Sequence, residues 1–206
     1  MLDAKQTEFV VVDVETTGLA VGEGDRILEL AAVKVRNLEI IDKFDFLINP
    51  GRDIPEEVKK IHNITPDMVA EAPLSSVVLP QFVDFVGGAC LCGQNVKFDL
   101  EFICYELALA GNTLRQETPA IDTIKMARYF LPHLTSFRLA NIAQAFGIKI
   151  GIVHRAMADV ELTFHILRHL LILAEDQGMV RFEDVLREFG VQKPSFRLAQ
   201  DQGTLF

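Results

Sequence analysis

Two hydrophobic rhythms share this chain, one of short continuous runs and one recurring at threes and fours. Residues 9–14 (FVVVDV) form a β-rich apolar run, the pattern of a strand covered on both faces. Residues 27–35 and 38–48 are two further β-prone runs with only Arg36 and Asn37 between them, a spacing that suits a tight antiparallel hairpin. Residues 55–62 open on proline with Glu56 and Glu57 in the first turn, where carboxylates complement the helix dipole, so a short helix is predicted. Residues 74–86 repeat apolar side chains at helical spacing until Gly87 and Gly88 stop them, and residues 89–92 read as a short buried strand. In residues 97–109, Phe98, Phe102, Ile103 and Leu107 mark another helix, ended by Gly111. Beyond it the pattern predicts a strand at 120–122 and a helix at 123–130 stopped by Pro132. A helix capped by Ser136 should follow and end at Gly147, and the longest helix should run over about 158–174. Residues 182–189 could add a last short helix before the chain turns polar after Pro194.

Strands interleaved with helices predict an α/β domain with a mixed sheet. At 206 residues there is room for one core and no second full domain. Residues 1–178 are read as that domain and 179–206 as a C-terminal helix with a flexible tail. Half the residues are hydrophobic and 24% are charged, which excludes wholesale disorder. The formal charge of −9 excludes a basic-patch duplex binder, because counterion release onto Lys and Arg could supply little affinity for a polyanion. Metal ions or a tethering partner would have to supply it. Cys90, Cys92 and Cys104 lack metal-ligand spacing and read as free thiols in a reducing compartment. The start of the chain has no signal-peptide pattern, and the longest uncharged apolar stretch, 170–174, is far short of the ~20 residues of a membrane span. A cytoplasmic protein that avoids membranes is expected.

Four acids stand where apolar side chains are expected. Asp13 and Glu15 lie two apart at the end of the first strand, so both carboxylates point to one face. Asp99 shares a helix face with Phe102 and Ile103, and Asp159 lines up with Leu162, Ile166, Leu170 and Leu173 in the first turn of the long helix. Three of them have an ordinary account taken alone: a strand end meeting solvent for the pair, the helix dipole for Asp159. Together they suggest a shared cause, since converging carboxylates cannot all ionise cheaply without a cation between them. Hard oxygen donors suit Mg²⁺ or Mn²⁺, and two such ions can clamp both oxygens of an in-line displacement at phosphorus. His154, five residues before Asp159, falls in the turn ahead of the helix. From there it could take a proton from an attacking water, although a lone histidine in a turn is ordinarily a surface residue.

DVETTG at 13–18, NVKFD at 95–99 and HRAMAD at 154–159 resemble the three motifs of the DEDDh 3′–5′ exonuclease superfamily, over roughly residues 7–175. The branch most similar is that of the proofreading subunits of bacterial DNA polymerase III, helped by HNIT at 62–65 and by Asp122 and Thr123. The resemblance implies a ribonuclease H-like mixed sheet with its first three strands antiparallel, flanked by helices. It also implies Asp13, Glu15 and Asp159 around one metal ion, Asp13 and Asp99 at a second, and His154 as general base. Thr16, Thr17, Gly18, Leu19, His62, Asn95 and Phe98 would line the pocket for the terminal nucleotide. For Phe98 and His62, ordinary core packing and a favourable helix C-terminus are the alternatives. The implied reaction releases nucleoside 5′-monophosphates from single-stranded or frayed DNA 3′ ends.

Gln202, Leu205 and Phe206 in the closing QGTLF resemble the Q-x-x-L-F peptides that grip the bacterial sliding clamp, with a glycine at the second position as a departure. A clamp or the polymerase subunit would then be a partner, and tethering would offset the acidic surface. Two other readings remain at this stage: an RNA-trimming enzyme of the same superfamily, and a non-catalytic adaptor for polymerase or clamp.

Overall fold

The computed structural model describes residues 3–151 and 155–196. Its centre is a five-stranded sheet in the order β3-β2-β1-β4-β5. The strands are β1 (Phe9–Thr16), β2 (Ile27–Arg36), β3 (Glu39–Leu47), β4 (Cys90–Gly93) and β5 (Ala120–Asp122). β1, β2 and β3 pair antiparallel, whereas β4 runs parallel to β1 and β5 parallel to β4. The helices are α1 (Glu56–His62), α2 (Pro66–Val69), α3 (Ser75–Val86), α4 (Val96–Leu109), α5 (Thr123–Phe130), α6 (Leu139–Ala145), α7 (Ala156–Asp176) and α8 (Phe182–Phe189). None among the described residues is long and apolar enough to cross a membrane.

The two-residue period of β1 divides the core. Phe9 and Val11 point into one buried cluster with Val160, Ile166 and Leu170 of α7, while Val10, Val12 and Val14 point into the other with Leu100, Phe102 and Ile103 of α4. Asp13 and Glu15 therefore continue the face that α7 covers. α8 joins the same body: Val185 and Phe189 are buried, and the Phe189 ring packs on Tyr129 and Phe130. Cys90 and Cys92 are buried free thiols, and Cys104 is partly buried.

Two local readings need correction. The hairpin turns at Asn37 and Leu38, both in the left-handed region (φ 53° and 60°), and β2 extends to Arg36. Asparagine tolerates that conformation well and leucine does not. Leu38 is held there by the apolar cluster on which it packs. Ser136 does not cap α6, which starts three residues later behind Arg138. The side-chain amide of Gln94 donates to the Phe137 carbonyl (2.8 Å), so the chain there is tied to the β4 end and helix begins only beyond it. The short α2 and a 3-10 turn at Val21–Glu23 carried no readable period.

Candidate active site

The acids come together at the end of β1. Asp13 and Glu15 leave the strand on the α7 side, α7 begins with Ala156 and presents Asp159 in its first turn, and one oxygen from each of the three lies within 4.8 Å of the others. Asp99 stands outside that trio. It is 3% exposed, and its Oδ1 accepts the Val14 amide at 3.0 Å. β4 pairs with β1 only as far as Val11, so this amide has no strand partner on that edge and the α4 carboxylate takes its place.

Burial and mutual repulsion make the group costly to ionise. Burial pushes the Asp13 carboxyl well above the ordinary range, and Asp99, Glu15 and Asp159 push it further. Glu15 is raised to about 7, by burial first and then by Asp159 and Glu29, against the pull of Arg155. Asp99 is raised by burial despite the Val14 hydrogen bond. A concentration of hard oxygen donors whose charges repel one another is what a divalent cation favours, so the residues present fit such an ion.

The residues expected around a terminal nucleotide lie at the end of β1, in the loop after it, at the end of α1 and at the start of α4. Thr16 and Thr17 are buried; the Thr16 hydroxyl donates to the Gly18 carbonyl (2.5 Å), and the Thr17 hydroxyl meets Asp25 Oδ1 (3.1 Å). Leu19 is 82% exposed, a large apolar side chain held out in solvent. Asn95 caps α4 in the left-handed conformation (φ 61°), and Phe98 is half-buried with its ring against Phe102, centroids 5.0 Å apart. His62 ends α1 and is 2% exposed. Its Nδ1 accepts the Ile64 amide (2.9 Å), which fixes the proton on Nε2, an atom with no hydrogen-bond partner among the described residues. Burial lowers its pKa, while Glu29 acts in the opposite direction. His154, Gln202, Leu205 and Phe206 lie outside the described residues.

The family model described as Exonuclease (RNase_T) matches residues 10–167, a span that takes in the three carboxylate segments. The chain belongs to this exonuclease family. It is 40% identical over 164 residues to DNA polymerase III subunit epsilon of Aquifex aeolicus, covering 79% of this chain and 80% of that one. To the PolC-type DNA polymerase III of Clostridium perfringens it is 38% identical over 161 residues, 78% of this chain but only 11% of the polymerase, so it spans a small part of that relative. Among solved structures, the nuclease domain of 3′hExo, a DEDDh family member bound to rAMP, matches with a TM-score of 0.73 at 19% identity, over 87% of this chain and 98% of that one. The fold is the ribonuclease H-like one of these exonucleases, and the divalent-metal dependence of the family has a matching carboxylate cluster here.

Sequence reasoning missed two acids that hold this region in place. Glu29 lies opposite Glu15 in the β1–β2 register and is 2% exposed. It accepts hydrogen bonds from Arg155 Nη2 (2.6 Å) and Nε (3.1 Å) and from the Ala156 amide (3.1 Å), so it seats the first turn of α7 against the sheet. A charge inside the run ILELAAV was the available signal. Asp25 is the other. Its carboxylate gathers the Thr17 hydroxyl, the Ala20 amide (3.1 Å) and Arg52 (3.1 Å), tying down the loop that carries Leu19.

Proposed function

We propose that this chain is a metal-dependent 3′–5′ exonuclease that removes nucleoside 5′-monophosphates one at a time from single-stranded or frayed DNA 3′ ends, in proofreading or repair. The observation that carries the reading is the meeting of Asp13, Glu15 and Asp159 within 4.8 Å, beside a buried Asp99, in a chain of the exonuclease family. In this reading Asp13, Glu15 and Asp159 hold one Mg²⁺ or Mn²⁺, and Asp13 with Asp99 holds a second. Such ions lower the pKa of a bound water and offset charge on the phosphate oxygens.

The chain's own residues do the rest. His154 takes the proton from the attacking water. Leu19 packs on the terminal base, backbone amides near Thr17 and Gly18 meet its sugar, and Thr16, His62, Asn95 and Phe98 complete the pocket. Such a pocket admits a nucleotide only after it leaves its stack, which costs a few kcal/mol and is easier at a mismatch. The kinship with DNA polymerase III proteins supports DNA as substrate and a polymerase subunit as partner. Gln202, Leu205 and Phe206 would contact a sliding clamp.

The test is an end-labelled strand incubated with Mg²⁺, with matched, mismatched and ribose 3′ ends compared. Release of mononucleotides from the 3′ end, fastest at the mismatch, is expected. Intact substrate with folded protein refutes the activity, and faster trimming of ribose ends refutes the assignment to DNA. Pull-down with purified clamp, comparing the whole chain with one ending at Gln200, addresses the tail; equal capture removes that partner.

A further inference from the structure

A cavity of about 780 Å³ opens next to the carboxylates, between α5 and the loop that leads into α6, and Asp159 forms part of its wall. That volume lies within the range of sites for small organic ligands. Asp159 is the sole acid among the described residues that line it, whereas Arg128 and Arg138 both do. In a chain of net charge −9, two arginines bordering the acidic cluster run against the general surface. Neither forms an ion pair with a described carboxylate. The Arg128 guanidinium instead lies over the Phe137 ring, 5.6 Å from its centroid, which leaves its N–H edges open to a ligand.

The wall is held in place from behind. Gln94 Nε2 donates to the Phe137 carbonyl (2.8 Å), and Gln94 Oε1 accepts from the Thr123 hydroxyl (2.6 Å). Gln94 directly precedes Asn95, so the loop with Phe137 and the pocket around Asn95 and Phe98 share one anchor. An aromatic and aliphatic wall with uncommitted guanidinium groups is the surface that single-stranded nucleic acid uses, stacking its bases and pairing its phosphates.

We infer that this cavity receives the nucleotide on the 5′ side of the scissile bond, with Arg128 and Arg138 meeting the next internal phosphate. The inference rests on the exonuclease reading above. Asp159 belongs both to the cluster that would hold the scissile phosphate and to the wall of the cavity, so a strand held at the cluster has this space directly beside its scissile bond. The cavity would then grip the strand that remains while the terminal nucleotide departs.

Two substrates separate the inference from the reading beneath it: a short labelled single strand, and the p-nitrophenyl ester of thymidine 5′-monophosphate, which has a scissile phosphate but no upstream strand. Arg128→Ala and Arg138→Ala should each lower the ratio of strand to ester kcat/KM by about ten-fold, the scale of one charge-assisted contact, and Arg128→Lys should recover part of it. In the unmodified protein, a neutral methylphosphonate at the first internal linkage should cost a similar factor. This measurement stands even where a variant fails to fold. An unchanged ratio in both variants, or full tolerance of the methylphosphonate, overturns the assignment of the cavity while ester hydrolysis continues. Failure of the unmodified protein on both substrates overturns the exonuclease reading itself.

Discussion

The carboxylate of Asp25 occupies the space where a side chain on Gly18 would begin. A Cβ placed on Gly18 would lie 2.2 Å from Asp25 Oδ2 and 2.5 Å from its carboxyl carbon, closer than atoms can approach. Glycine is needed there because the acid that fastens the loop sits directly against its backbone. Gly18→Ala should displace Asp25, release its hold on Thr17 and Ala20, and cost about 1–3 kcal/mol, as overpacking does. A lower midpoint in urea with a raised KM for single strands is the expected pair of results. An unchanged KM would show that the loop's form does not matter to binding.

Leu19 offers the opposite separation. With its side chain in solvent, Leu19→Ala should leave stability within roughly 0.5 kcal/mol of the parent. KM for a strand should nevertheless rise about ten- to a hundred-fold, since a leucine buried against a base contributes about 1.5–3 kcal/mol. Thermal melts and steady-state kinetics on the same preparation would check both.

The raised pKa of Glu15 sets a direction for pH. An acid whose folded pKa is about 7, above its unfolded value of ~4.3, favours folding while protonated. That contribution is fully present below about pH 4 and is lost as pH rises through 7. Metal-free protein in a chelator should therefore lose stability between pH 5 and about 8, and Glu15→Gln should flatten the loss while abolishing cleavage. Melting curves across that range decide it.

The same shift links cation binding to proton release. Mn²⁺ must displace the proton that Glu15, with its pKa raised to about 7, still carries below neutrality, so calorimetry in buffers of differing ionisation enthalpy should register more protons released at pH 6 than at pH 8. Asp13→Asn should remove most of both heat and proton release. A heat signal without proton exchange would place the ion elsewhere.

Glu29 tests how α7 is seated. Removing one member of a buried ion pair commonly costs about 3–5 kcal/mol, and here Arg155 is partly open to solvent, so Glu29→Ala should fall near about 3 kcal/mol in urea denaturation. Glu29→Gln can still accept from the Ala156 amide and should cost less. Equal losses would mean that the backbone contact is unimportant.

How much of this could be read beforehand depended on the range of the interaction. The strands and longer helices announce themselves because burial of one face leaves a local period, and the acids at 13, 15, 99 and 159 stand out by violating it. Glu29 also sits in an apolar run, but its partner Arg155 is 126 residues away, and no local pattern records a pairing across that distance. Asp25 was hidden because an acid in a glycine-rich loop looks solvated until the loop is closed around it. Ser136 misled for a related reason: a capping residue matters only where the chain is free to turn, and Gln94 ties it down at Phe137.

Two of the three clustered acids ride on the central strand and the third on α7, whose apolar stripe rests on Val11 and Val33 of the sheet. Their spacing is thus a dimension of the interior, set by the thickness of aliphatic side chains between strand and helix. Trimming Val160 or Ile166 by a methyl group would let the helix settle closer to the sheet, and the earliest symptom should be weaker retention of divalent ions in an otherwise intact molecule.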